Sequence, residues 1–183
     1  MDYQELAKAL IKEFAAMATP QATTLNGDDG WVDAPDQKKA QWVFAHRADG
    51  HDSWHILQDE GGKASALNMP MSLKGTVTGI TAHIHTPSDS KYKPSTKLRV
   101  WVQTSAGQFC IQAGVDSVTG RNIICALSAA LDSGVLNQPI TLTPVASDTD
   151  AKVLFINAHD HAGNQLRTSY MSGSEPDYFK GLF

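Results

Sequence analysis

Apolar residues along the chain fall into two rhythms. Between residues 3 and 18, Leu6, Leu10, Ile11, Phe14 and Met17 recur at helical spacing. That spacing predicts an amphipathic helix, with Pro20 as its stop. Residues 19–30 are polar and turn-rich. Trp31-Val32 and Gln41–His46 then read as short strands, Asp49-Gly50 as a hairpin signal and Ser53–Leu57 as the returning strand, before Asp59–Lys63 breaks the pattern. Residues 1–70 are therefore expected to form a helix and a small antiparallel hairpin.

Beyond residue 70 the period shortens to two. Leu73–His85 is rich in Thr, Val and Ile, a strand composition. Its alternation slips once: Val77 lies on one parity and Ile80, Ala82 and Ile84 on the other, with Gly79 between, as a glycine bulge would produce. After a loop over 86–96, Lys97–Thr104 sets Leu98, Val100 and Val102 on one face and Arg99, Trp101 and Gln103 on the other. Ser105-Ala106-Gly107 is a tight turn, and Gln108–Val115 a third strand. A helix follows, with Asp116 or Ser117 as N-cap, Ile124, Leu127 and Leu131 as its stripe and Gly134 at its C-terminal cap. Pro139–Val145 and Val153–Ala158 supply two more strands, and 172–183 form a tail.

The order strand, strand, strand, helix, strand, strand, with a bulged first strand, resembles the OB-fold. The resemblance spans Leu73 to Arg167 and rests on element order and the slip at Gly79. It implies an α+β protein: an OB-like five-stranded β-barrel over 71–171, with the N-terminal helix and hairpin of 1–70 as an extension. It also implies that the loop between the first two strands, and the face of the second and third, form the ligand surface.

Charge narrows the function. The net charge of −4 is unlike that of a polybasic binder. Yet residues 1–70 hold 6 Lys/Arg against 11 Asp/Glu, whereas 71–183 hold 9 against 8. Within the second part, Lys91–Arg99 carries four cations and no carboxylate. No apolar run reaches the ~18–20 residues of a membrane helix, and the acidic N-terminus does not read as a signal peptide. The expected compartment is the cytoplasm.

Several groups of residues could carry chemistry. Lys91, Lys93, Lys97 and Arg99 could track phosphates while Tyr92 and Trp101 stack on bases, as single-strand binders require. The resulting expectation is a single-stranded DNA- or RNA-binding protein of low sequence specificity, without a cofactor. One alternative is a protein-interaction module or inhibitor subunit, engaging a partner through the N-terminal helix or the aromatic C-terminal tail Tyr178–Phe183. The second is a metal-binding barrel enzyme. His83 and His85, and again His159 and His161, are His-x-His pairs that share a face on a strand, and barrel closure could bring the pairs together. Similar spacing occurs in metal-binding barrels of the cupin type. This chain lacks the Glu expected after His85 and a Gly-Pro framework at the second pair. No Gly-x-Ser-x-Gly, phosphate loop or dinucleotide fingerprint is present, so enzymatic activity is not expected. Cys110 and Cys125 match no zinc spacing and read as small buried apolar residues.

Overall fold

The computed structural model describes residues 3–17, 40–46, 52–59, 64–87, 91, 93–150 and 152–166. Helix α1 (Tyr3–Met17) is followed by β1 (Gln41–Phe44), β2 (His55–Asp59), β3 (Ala64–Asn68), β4 (Leu73–His85), β5 (Ser95–Thr104) and β6 (Gly107–Gly114). Helix α2 (Val118–Asp132), β7 (Pro139–Ala146) and β8 (Leu154–His159) complete the described fold. All eight strands join one curled, half-barrel mixed sheet in the order β3-β2-β1-β6-β5-β4-β7-β8. Every pairing is antiparallel except β1 with β6, which is parallel.

The alternation read from the sequence decides which face is buried. Val43, Ile80, Leu98, Val100, Val102, Ile111, Ile140, Leu142, Leu154 and Ile156 are all buried in one core. Ile123, Ile124, Leu127 and Ala130 of α2 belong to the same core, as do Ala7 and Leu10 of α1. The apolar stripe of α1 thus faces inward from Leu6 to Phe14, whereas Met17 is exposed, and the Arg121 guanidinium lies 4.9 Å above the Tyr3 ring between the helices. Ser117 caps α2: its hydroxyl accepts from Gly120 N (3.0 Å) and donates to the Gly114 carbonyl (2.7 Å). Gly134, at φ 68°, ends the helix with its N–H on the Leu131 carbonyl.

Among the last five strands β5 lies between β6 and β4, and β7 between β4 and β8, and the β4–β5 register shifts between Val77 and Gly79. A Cβ at Gly79 would stand 2.8 Å from Trp101 Cδ1, so the bulge residue also makes room for that indole. The five-stranded closed barrel, however, is not what forms. Closure on the OB plan would pair β6 with β8. Instead β1 occupies the free edge of β6, with Gln41 opposite Phe109 through Phe44 opposite Gln112. The free edge of β8 is sealed from the side. The Thr119 hydroxyl donates to the Leu154 carbonyl, Ile156 N donates to Asn122 Oδ1 (3.3 Å), and Leu166 N donates to the Ala158 carbonyl (2.8 Å). Buried side chains of α2 therefore take the hydrogen bonds a closing strand would have made.

The hairpin of residues 1–70 is part of this same sheet. Its turn at Asp49-Gly50 and the strand expected at Trp31-Val32 lie outside the described residues. Strand β3 is an addition to the sequence expectation. Ala-Ser-Ala-Leu-Asn has little intrinsic strand character, but it pairs with β2 over five positions. Ser53 Oγ donates to the Met69 carbonyl (2.8 Å), and Trp54 Nε1 to that of Met71 (3.1 Å), which fixes the return of the chain.

Candidate functional site

The sheet face opposite the helices carries a patch built by cross-strand register. One row runs Gly79, Trp101, Cys110, Trp42 across β4, β5, β6 and β1. The next runs Thr81, Arg99, Gln112, Phe44, His55 and reaches β2. Strands β5 and β1 are separated by β6, so their backbones stand roughly 10 Å apart. The rings of Trp42 and Trp101 are nonetheless only 5.9 Å apart, edge to face at 64°. Both lean over Cys110, whose small side chain leaves the space, and this buries the cysteine completely. Loss of water pushes its thiol up to about 11, against a smaller opposing effect of Arg99.

The Arg99 guanidinium lies 5.0 Å from the Trp42 ring centre, and its Nε donates to Gln112 Oε1 at 3.2 Å. Arg99 is thereby held over Trp42 while remaining partly exposed. Beyond it, Phe44 stacks on His55 (5.5 Å, 22°) and His46 meets His55 edge-on at 4.8 Å. Removal from water holds His46 below the usual imidazole value, and the neighbouring His55 and Lys97 add to the effect. Across all eight strands the one carboxylate residue is Asp59 of β2. The patch is therefore aromatic, amide-rich and cationic.

Of the residues expected from sequence, Arg99 and Trp101 sit on the outward face of β5, and Lys97 lies on the same parity nearer the hairpin end. Lys91 and Lys93 are exposed in the β4–β5 connection, roughly 20 Å along the strand direction from Trp101. Tyr92 lies outside the described residues, as does the C-terminal tail. Sequence reasoning missed Trp42, Phe44 and Gln112 as members of the patch. Their shared parity was visible, but the parallel contact of β1 with β6 was not.

The four histidines are not brought together. His83 and His85 lie on the end of β4 that pairs with β5 alone, opposite Lys97 and Ser95. His159 is on β8, beyond β7, which meets β4 only through Leu73–Thr76. With the barrel open, strand ends that closure would have gathered stay apart. Among the described residues no group of three or more His, Cys, Asp or Glu could hold a metal ion. Asp160 instead organises its own turn: Oδ1 accepts from Ala162 N and Asn164 N, and Oδ2 from Asn164 Nδ2, which lowers the carboxyl below its usual range. Cys110 and Cys125 are both free and buried, as their sequence setting suggested.

Fold and patch together define an α+β protein with a half-barrel sheet whose face opposite the helices presents two indoles and a guanidinium. No family model, curated protein or solved structure matches the chain. No helix among the described residues is long and apolar enough to cross a membrane.

Proposed function

We propose that the protein binds single-stranded nucleic acid with little sequence preference, through Trp42, Trp101 and Arg99. The observation that carries this reading is the convergence of two indoles and one guanidinium on a sheet face almost without carboxylates. Bases of any identity stack on such rings, each stack being worth ~1–3 kcal/mol. Lys97 and Arg99 would meet phosphates beside the rings, and Lys91 and Lys93 would extend the cationic track into the hairpin. Tyr92, between those lysines in sequence, would add a third ring.

Fluorescence titration with oligo-dT and oligo-rU at low and high salt tests the proposal. Binding should quench tryptophan emission and weaken as salt rises, because phosphate contacts release counterions. Trp101→Ala should weaken it by ~1–3 kcal/mol. A protein-interaction module using the same face would show neither quenching nor binding at low salt, and that result would reject the nucleic-acid reading.

A further inference from the structure

A cleft of about 370 Å³ opens where β1, β5 and β6 end, beside the segment that leads into β8. It is distinct from the tryptophan patch, although Phe44, Gln112 and Lys97 lie where the two meet. Its volume falls within the roughly 300–1,000 Å³ range of small-ligand sites. Three of its lining residues are cationic or can become so, and each comes from a different part of the chain: His46 after β1, Lys97 on β5 and Lys152 before β8. Among the described residues no carboxylate lines it. Asp116, next to the lining residue Ser117, accepts from Gln4 Nε2 (3.3 Å), and Asp150 Oδ1, at the rim, from the Lys152 backbone N–H (2.8 Å). Among the described residues the ion pair formed is Lys8 with Glu5, and neither Lys97 nor Lys152 has a carboxylate partner.

The charge of the wall is one-sided. Gln112 Oε1 accepts from Arg99, Ser117 Oγ accepts from Gly120 N, and the Thr119 hydroxyl donates to Leu154. The cationic groups of the wall are the two ammonium groups, which stand with the Gln112 amide NH₂ as donors beside the remaining lone pairs of the Ser117 and Thr119 hydroxyls. A ligand suited to this wall is an anion rich in acceptor oxygens. Phe44 and Val153 supply an apolar side on which the body of such a ligand can rest.

From this geometry we infer that the cleft is a phosphomonoester site, held by Lys97, Lys152 and the Gln112 amide. The phosphate could belong to a free nucleotide or to the end of a strand lying on the tryptophan patch. The inference does not depend on the single-strand reading, because Lys152 belongs to the cleft alone.

Calorimetry with thymidine monophosphate and with thymidine, at low salt, is the decisive comparison. The monophosphate should bind and the nucleoside should not. Lys152→Gln and Lys97→Gln should each weaken monophosphate binding about tenfold, the loss of one charge-assisted contact. Thermal melts of both variants establish that they fold. A second arm compares oligo-dT with and without a 5′-phosphate. Tighter binding of the phosphorylated strand, abolished by Lys152→Gln, identifies strand ends as the source, and monophosphate binding alone identifies free nucleotides. Equal behaviour of monophosphate and nucleoside, or folded variants that bind the monophosphate as tightly as the parent, overturns the site. If unphosphorylated oligo-dT fails to bind while the monophosphate binds, the single-strand reading falls and the cleft stands.

Discussion

At the scale of single residues, Cys110 and His46 make opposite demands on experiment. Cys110 lies beneath two indoles with its thiol at about 11, so at pH 8 it is overwhelmingly the protonated, unreactive form. The native protein should show no fast-reacting thiol toward Ellman's reagent, and two equivalents should appear on unfolding. A rapid native equivalent would mean that the tryptophans do not cover it. His46 is a pH probe. The folded chain holds its pKa below the ordinary 6.5, mainly by shielding part of the ring from water, although the residue stays at the surface and the effect is correspondingly small. The unfolded chain therefore takes up the proton first as pH falls, and stability declines below about 6.5 and recovers as pH rises through that window. Melting temperature measured from pH 7.5 down to 5.5 should fall, and His46→Gln should flatten the decline. The lowered Asp160 carboxyl acts in a separate, more acidic window: its contribution is present above the ordinary 3.8 and is lost as pH falls through its depressed value.

At the scale of elements, helix α2 acts as an edge guard. Thr119→Val keeps the shape of the side chain but leaves the buried Leu154 carbonyl without its donor, an expected cost of ~1–3 kcal/mol read by urea denaturation. An unchanged midpoint would show that α2 does not seal β8. This guard also explains what could be read in advance and what could not. Alternating residues in β4, β5 and β6 specified those strands, and Arg99 and Trp101 on the outward parity followed directly. The slip at Gly79 was visible because a bulge reverses parity within a single strand. Barrel closure was not legible, because it depends on whether β8 finds a strand or the side chains of Thr119 and Asn122, both of which could equally have been surface residues of a helix. Strand β3 escaped because Ala, Ser and Asn are not strand formers, and pairing with β2 overrides their local preference. Trp42 escaped as a site residue because its partners across Cys110 are distant in sequence.

At the scale of the whole molecule, the net charge of −4 conceals a division between an acidic N-terminal part and strands that carry a single Asp. Repulsion from the acidic part should keep non-specific attraction to duplex DNA weak while leaving a local track for a single strand. On the proposed reading, replacing Lys91 and Lys93 together by Gln should reduce the slope of log K against log salt by about 1.4, without changing tryptophan quenching at saturation. An unaltered slope would remove the hairpin lysines from the track. The parallel seat of β1 on β6 has a further consequence, in the order of events at the ribosome. Synthesis delivers β1 long before β6, and its antiparallel partner β2 offers it only the Phe44–His55 pairing. A nascent chain that stops short of residue 114 has therefore made Trp42 and Phe44 but lacks the edge that receives them. Until β6 emerges, those rings are exposed apolar surface of the kind that holding chaperones bind, and docking of β1 must be a late step of folding.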